Sequence, residues 1–471
     1  MSDYRRPNPE RRAYTGDTII LPGRRRPAPR PPAPSRGRPV RRPIWPSVRR
    51  VLLIGGALVL VGLLLIYLYV RGVAAPLVVR DARSNPPIAA PLLGGINMLI
   101  VGVDERPDHP EEGVRSDTLI VVHLDALGRW ASMLSIPRDS RVTVRDLGET
   151  KINVAYGYGY ANAEALYGPG TTPRQGGMAL AAEMVEQFLG LPERGQRIHY
   201  VTQVNFAGFA QIIDALGGIT IDVPKPIVDD AYPTPDFGTQ RIEFQPGVQR
   251  MNGERALIYA RTRHADSDFG RAERQQQVIR AIIDEVRARG VIGQALLIPR
   301  MLSGLDGTVA TTMPITRLDI LLGMGWLASG LDPEAIGQVQ ISPETVPNYQ
   351  EVGSDLIWDP AGVRAVVETF LTRPSEAGEA ARVQVLNGTG RAGLAREISG
   401  RLEQEGFTVL PAANAPSSDV PATIVYDITG KPLTSRRLAG LLGAELRRGA
   451  PPAGVVSEAD IVVILGQNAA R

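Results

Sequence analysis

The sequence predicts an α/β protein: a central mixed sheet flanked by helices, one N-terminal transmembrane helix and a small separate C-terminal α/β domain. Residues 51–70 form an uninterrupted segment that is uncharged and mostly apolar. Segments with strand periodicity alternate with helical segments over residues 94–372, which is typical of a layered α/β domain. After a short polar linker at 373–381, strand and helix patterns alternate again. A chain of 471 residues has room for two or three domains.

Residues 1–50 are rich in proline and arginine and are expected to be disordered. They carry 14 arginines against three acidic residues, and either attract anionic lipid head groups or only fix the topology. The twenty residues of segment 51–70 would cover roughly 30 Å as a helix, the thickness of the bilayer's hydrocarbon. The segment starts far from the N-terminus and lacks a signal-peptide cleavage site. We therefore expect a single-pass membrane anchor, with a cytoplasmic N-terminus, a spacer at 71–93 and an extracytoplasmic remainder.

Residues 94–372 are predicted to form the larger domain. Strands are expected at 96–103, 118–124, 129–136, 199–204 and 219–224, and helices at 177–190, 206–218 and 254–261. The longest helix should begin near Ser267 or Asp268 and end before Gly290, because apolar residues recur there at helical spacing. Residues 291–372 are predicted to be mixed helical segments, while 157–176 and 229–240 show no informative pattern.

Residues 382–468 are predicted to form the second, smaller domain. A strand, a glycine-rich turn ("NGTGRAG", 387–393) and a helix are followed by strands at 423–428 and 459–466. The turn favours a plain strand-to-helix connection over a dinucleotide loop, because no third glycine stands at the required offset. Its charges indicate no particular chemistry, so a ligand-binding role and a simple spacing role both stay open.

Several kinds of chemistry are excluded by composition and motif. The chain has no cysteine, which excludes disulfides, thiolate metal sites and cysteine nucleophiles. The four histidines are dispersed and form no HExxH pair, and neither a P-loop nor a GxSxG motif occurs. The "DFG" at 268–270 lacks the other kinase motifs. Beyond residue 50 the chain has 38 basic and 46 acidic residues, so no nucleic-acid binding is expected.

The segment "RTRHADSDFGRAERQQQ" (261–277) concentrates positive charge. Arg261 and Arg263 precede the long helix, and Arg271, Arg274 and Gln275 fall on one face near its start. Clustered positive charge at a helix N-terminus is locally unfavourable, since it opposes the helix dipole. The arrangement therefore favours an anionic ligand.

Further charged residues stand at the ends of predicted strands. Asp104 and Asp117 suit a hard cation such as Mg²⁺, although aspartates of this kind also serve simply in turns and caps. Arg138 directly follows a strand, and Lys151 is the first lysine of the chain. The planar fork of arginine matches phosphate oxygens. Because this chain uses arginine almost everywhere, scattered surface arginines are the alternative interpretation.

The chain resembles the LytR-CpsA-Psr family of cell-wall phosphotransferases in seven motifs, which are, in order, "NMLIVGVDERP", "RSDTLIVVHLD", "LSIPRDSRVTV", "KINVAYGYG", "VNFAGFAQIIDALGGITIDVP", "PGVQRMNGERALIYARTRH" and "SDFGRAERQQQVI". The resemblance is dense over residues 94–290 and looser to 372, and residues 382–468 are similar to the LytR-type C-terminal domain often attached to that family. It implies a membrane-anchored enzyme that transfers a glycopolymer from a polyprenyl-pyrophosphate carrier to peptidoglycan, forming a phosphodiester.

The resemblance also implies roles for individual residues. Asp104 and Asp117 would hold Mg²⁺, and Asp104 or Asp139 would accept the proton of the acceptor hydroxyl. The pyrophosphate would be bound by Arg115, Arg138, Lys151, Arg261, Arg263, Arg274 and Gln275, with Arg271 in the same motif. Two alternatives stay open: a hydrolase of lipid pyrophosphates that uses water as acceptor, and a membrane-tethered regulator or wall-binding protein without enzymatic activity.

Overall fold

The computed structural model describes residues 45–87, 95–105, 114–234, 238–262, 268–289, 293, 297, 301–331, 335–374 and 379–470. The chain divides into two compact units, Met1–Val61 and Gly62–Arg471, and the second contains both sheet domains.

The larger domain is built from fourteen strands among the described residues: β1 (Ile96–Asp104), β2 (Arg115–Leu124), β3 (Ala131–Ile136), β4 (Arg141–Val144), β5 (Gly148–Lys151), β6 (Tyr200–Asn205), β7 (Ile219–Val223), β8 (Ile227–Pro233), β9 (Thr239–Phe244), β10 (Gly247–Met251), β11 (Val309–Thr311), β12 (Ile336–Gln340), β13 (Tyr349–Val352) and β14 (Asp355–Trp358). The helices up to its end are α1 (Trp45–Ala74), α2 (Ile152–Ala161), α3 (Ala163–Tyr167), α4 (Pro173–Leu189), α5 (Phe206–Ala215), α6 (Gly253–Arg261), α7 (Asp268–Ala288), α8 (Leu318–Gly330) and α9 (Pro360–Leu371).

Six strands form the central sheet, in the order β11-β6-β1-β2-β3-β12. β1 is antiparallel to β2 and parallel to β6, and β3 is antiparallel to β2 and parallel to β12, so the sheet is mixed as predicted. Side chains alternate between its two faces. On one face Val101 and Leu119 pack in a core with Leu180 of α4. On the other, Ile120 and its neighbours pack against Ile279 of α7.

The residues that follow α1 belong to the fold. The stretch Leu53–Leu77 has the length and composition of a membrane span. At the end of this stretch, Leu77 is buried with Leu305 and Val309, and just beyond it Val79 N donates to Thr311 O at 2.9 Å. Part of the segment expected to be a spacer is therefore packed on the larger domain, because its apolar side chains find partners there.

The helical interpretation of residues 291–372 is wrong in part. This stretch contains β11 and β12, which form the two edges of the central sheet, as well as the β13–β14 hairpin. The strands have three to five residues each, and β11 and β12 pair with strands far away in sequence. No local alternation of polar and apolar residues therefore predicts them. The uninformative stretches 157–176 and 229–240 include much of α2, α3 and the β8–β9 hairpin.

The C-terminal domain has a five-stranded mixed sheet, in the order β16-β15-β19-β17-β18, made of β15 (Arg382–Asn387), β16 (Thr408–Asn414), β17 (Ile424–Asp427), β18 (Glu445–Arg448) and β19 (Ile461–Leu465), with helices α10 (Leu394–Gln404) and α11 (Pro432–Leu442). It contacts the larger domain at Gly449, whose φ is +102°. A Cβ atom there would lie 1.5 Å from Oδ2 of Asp222 in β7, so the contact requires glycine.

Candidate functional site

A cavity of about 890 Å³ opens at the ends of the central strands, where β1 ends, β2 begins and β3 leads into β4. Nine of the ten described residues predicted for the site line it: Asp104, Arg115, Asp117, Arg138, Asp139, Lys151, Arg261, Arg271 and Gln275. The tenth is Arg274, and Arg263 lies outside the described residues.

The β1–β2 pair positions the first group of charges. Asp104 stands directly opposite Arg115 in the register of the two strands, just after an irregularity at Gly102/Val103. Arg115 and Asp117 point to the same face because they are two residues apart in a strand. Ser116 between them is buried and donates to Asn153 O at 3.3 Å. The two aspartates predicted as metal ligands therefore line one cavity.

Four residues form a continuous chain of ion pairs along the cavity wall. Arg138 Nη1 donates to Asp117 Oδ1 at 2.9 Å, and its Nε lies 3.4 Å from Asp139 Oδ2. Lys151 Nζ donates to Asp139 Oδ1 at 2.6 Å. These side chains are 17–24% exposed, so the pairs are only partly screened by water. Their positions are fixed before any ligand binds.

Asp139 is placed to orient cations. Each of its carboxylate oxygens faces a cation, Lys151 on one side and Arg138 on the other. A carboxylate engaged in this way stabilises both neighbouring cations in one geometry.

Asp355 extends this network, although no pattern in the sequence predicts it for the site. It lies at the start of β14, where its Oδ2 accepts from Arg141 Nε at 3.1 Å and Nη2 at 2.9 Å. Its other oxygen lies 4.0 Å from Lys151 Nζ. The main chain of the next residue, Leu356, donates to Asp139 O at 2.9 Å and so holds the hairpin against the site.

On the opposite wall, Arg261 is held by aromatic rings. Its guanidinium carbon lies 3.7 Å from the centroid of the Phe206 ring and 6.0 Å from that of Tyr232. Phe206 reaches this position because Asn205, at the end of β6, caps α5 by accepting from Gly208 N at 2.9 Å. Burial raises the pKa of Tyr232, which stays a neutral phenol. Stacking on a ring face leaves the N–H edge of a guanidinium available to a phosphate.

The helix α7 contributes Arg271 and Gln275 to the cavity, one turn apart. Arg274 does not belong with them, contrary to the expectation from the sequence. It is buried, its Nε donates to Tyr259 O at 2.9 Å, and its Nη2 donates to Thr262 O. Arg274 therefore fixes the end of α6, which carries Arg261. Helical periodicity alone could not distinguish Arg274 from Arg271, because residues three apart project from nearly the same side of a helix.

The carboxylates suit a shared rather than a fully protein-held metal. The described residues contain no group of three or more acidic or histidine side chains that could bind a metal ion. Asp104 and Asp117 provide two carboxylates, one of which also binds Arg138. Mg²⁺ is commonly held by one or two carboxylates together with phosphate oxygens of the substrate. The donor set fits Mg²⁺ in that form.

The α/β fold carries a cavity lined by guanidinium, ammonium and carboxylate groups, which suits a polyanionic ligand that a cation can share. Residues 81–359 match the LytR-CpsA-Psr family, and this chain belongs to it. Residues 380–468 match a second family, described as the LytR cell envelope-related transcriptional attenuator.

Similar proteins include cell-wall transferases. The chain is 34% identical over 257 residues to the polyisoprenyl-teichoic acid–peptidoglycan teichoic acid transferase TagV of Bacillus subtilis, covering 48% of this chain and 58% of TagV. It is 28% identical over 333 residues to the probable cell wall biosynthesis protein LcpB of Corynebacterium glutamicum, covering 66% of this chain and 69% of LcpB. The crystal structure of B. subtilis TagV aligns with 59% of this chain and 96% of its own, at 29% identity and a TM-score of 0.44. The chain spans about three-fifths of the length of the curated relatives TagV and Oceanobacillus iheyensis TagU, 58% and 62%.

Proposed function

We propose that this protein is a membrane-anchored phosphotransferase that moves a glycopolymer from a polyprenyl-pyrophosphate carrier to peptidoglycan. The observation that supports it is the ion-paired chain Asp117–Arg138–Asp139–Lys151, which lines one cavity together with Arg261. A pyrophosphate brings several negative charges into a small volume, and arginine forks match its oxygens bidentately. The transferase names of the relatives point to the same reaction class.

In the proposed reaction, the oxygen of a peptidoglycan hydroxyl forms a bond to the phosphorus on the glycan side of the pyrophosphate. The bond between that phosphorus and the bridging oxygen breaks, and polyprenyl phosphate leaves. Arg138 and Arg271 stabilise the negative charge that is redistributed during this step, since both line the cavity. Asp104 or Asp139, which both line the cavity, accepts the hydroxyl proton. Mg²⁺ held at Asp104 and Asp117 would supply further neutralisation of phosphate charge.

The anchor is part of the proposal. The apolar segment 51–70 crosses the membrane once, and the arginines of residues 1–50 keep the N-terminus in the cytoplasm. The cavity then lies outside the cell, where the lipid carrier presents its glycan.

The test combines the purified full-length chain with a lipid-pyrophosphate glycan and peptidoglycan oligomers. We expect a phosphodiester-linked product, and Arg138→Ala and Arg261→Ala should each lower kcat/KM by about 10²-fold or more. Arg447→Ala is the matched control, because that side chain lies on the C-terminal domain with 49% exposure and forms its ion pair with the nearby Glu445. Release of free phosphorylated glycan without linked product would instead identify a hydrolase. Unchanged wall attachment in cells that carry Arg138→Ala would favour a non-enzymatic role.

A further inference from the structure

A second cavity, of about 250 Å³, adjoins the larger one. It lies between the ends of β3 and β12, the start of α7 and the tip of the β13–β14 hairpin. The two cavities share six lining residues, which form the junction between them: Asp117, Thr118, Arg138, Asp139, Arg271 and Gln275.

The two cavities differ in charge. The larger one has Arg115, Lys151 and Arg261 to itself, whereas the smaller one adds no cation to those of the junction. The walls that belong only to the smaller cavity are mostly apolar, with Phe269 among them, and Glu351 is their one charged residue. A pyrophosphate therefore favours the larger cavity. The smaller one suits a ligand without negative charge that has an apolar face.

The smaller cavity also contains a buried hydrogen-bond acceptor. Gln340 Oε1 has almost no solvent exposure and accepts no hydrogen bond from any residue that the structure describes. A buried acceptor in this condition costs about 1–3 kcal/mol, which a ligand N–H or O–H group would recover. A sugar ring offers such groups along its edge and C–H bonds on its face. A hydrocarbon chain offers no donor.

The hairpin that closes the smaller cavity is firmly held. The Trp358 indole N–H donates to Ser140 Oγ at 2.9 Å, and its ring contacts Tyr349 at 5.1 Å and Phe269 at 6.5 Å between centroids. Gly353, with φ of +67°, makes the tight turn that brings Ser354 to the rim. The cavity is thus preformed.

We propose that the smaller cavity is the acceptor subsite, which binds one sugar ring of the peptidoglycan strand and directs its hydroxyl at the junction. The proposal rests on the transfer reaction proposed above and deepens it. Displacement at phosphorus places the attacking oxygen opposite the leaving oxygen. Two cavities that meet at Arg138 and Arg271 allow acceptor and carrier to approach the phosphorus from different sides.

Two variants test the acceptor subsite in the full-length chain. Gln340→Leu removes the buried acceptor oxygen at similar size, and Ser354→Leu narrows the rim at an exposed turn position, where folding is little affected. Ser417→Leu, at an exposed position of the C-terminal domain that lines neither cavity, is the control. We expect the KM for a peptidoglycan oligomer to rise roughly fivefold to tenfold in both variants, as for one lost hydrogen bond. The affinity for the lipid-pyrophosphate donor should stay within about twofold.

The outcomes separate the acceptor subsite from its alternatives. Lower donor affinity with an unchanged acceptor KM would assign the smaller cavity to the carrier's hydrocarbon and overturn the proposal. No change in either quantity would also overturn it. Binding of the oligomer is measured separately by calorimetry, without reaction. A wild-type chain that binds the oligomer, loses this binding with Ser354→Leu and yet transfers nothing would refute the proposed function but support the subsite.

Discussion

The segment that follows the apolar helix is predicted to contribute strongly to stability through Glu186, and Glu186→Ala tests this. Glu186 lies in α4 and is 4% exposed, like its partner Arg83. Its Oε1 accepts from Arg83 Nη1 at 3.0 Å and from Ile198 N at 2.7 Å, and its Oε2 accepts from Arg197 Nε at 2.9 Å. Alanine would remove one of the two ion-pair partners of the buried Arg83 guanidinium and leave Asp81 as the other.

The size of the effect follows from that burial. Removal of one partner of a buried ion pair costs about 3–5 kcal/mol, whereas loss of an exposed pair costs about 1 kcal/mol or less. At roughly 2–4 °C per kcal/mol for a domain of this size, Tm should fall by roughly 6–20 °C. Urea unfolding and thermal unfolding of the full chain in detergent, followed by circular dichroism, measure both quantities.

Two further variants make the Glu186 experiment decisive. Glu368→Ala is the matched control, because this glutamate also pairs with an arginine but is 65% exposed. The double variant Arg83→Met/Glu186→Leu should recover much of the loss, since apolar side chains of similar size can replace a buried ion pair. A decrease below about 1 kcal/mol for Glu186→Ala would refute the reasoning, because residues around Arg83 would then behave as a loose spacer.

Three further predictions concern pH, the α7 arginines and the metal. Burial lowers the pKa of His123 to about 4 from its ordinary 6.5, so the unfolded state binds the proton first as the pH falls. The free energy of unfolding should therefore decrease by up to about 3 kcal/mol between pH 6.5 and 4. Urea unfolding at pH 7.5 and 4.5 should show this decrease, and His123→Gln should remove most of the pH dependence. Arg274→Met should lower the free energy of unfolding by about 2–3 kcal/mol as its buried hydrogen bonds are lost, whereas Arg271→Met should lower kcat/KM with little effect on unfolding; the reverse pattern would contradict the assignment. Chelation of divalent ions should abolish transfer, and added Mg²⁺ should restore it. Asp104→Asn and Asp117→Asn should each raise the Mg²⁺ concentration needed for half-maximal activity. Transfer that persists in the presence of a chelator would exclude a role for the metal.

Local patterns predict the centre of the larger domain well. β1, β2 and β3 follow from runs of apolar residues, and α7 follows from helical spacing, since each pattern lies within one continuous stretch. β11 and β12 could not be predicted, because their pairing partners β6 and β3 lie roughly a hundred or more residues away in sequence. Short strands of this kind are defined by tertiary contacts rather than by their own sequence.

The residues of the candidate site also divide into those that local sequence patterns predict and those that only tertiary contacts bring to the site. Asp104, Asp117 and Arg138 stand at or next to strands that the sequence predicts, so their convergence at the ends of these strands could be predicted. Asp355 enters through a hairpin 214 residues from its partner Arg141, and no spacing rule connects the two. The distinction between Arg271 and Arg274 depends on which carbonyl oxygens the end of α6 presents, which only the packed structure defines.

The burial of Leu77, three residues after α1 ends at Ala74, limits the reach of the proposed transferase above the membrane. In a chain anchored as proposed, little slack remains between the bilayer and the domain, so the active site stays at a nearly constant height above the lipid. A carrier that diffuses within the bilayer can meet it there at any time. The peptidoglycan strand that receives the polymer has to lie at the same distance from the membrane. Newly made wall next to the membrane is then modified before older layers farther out.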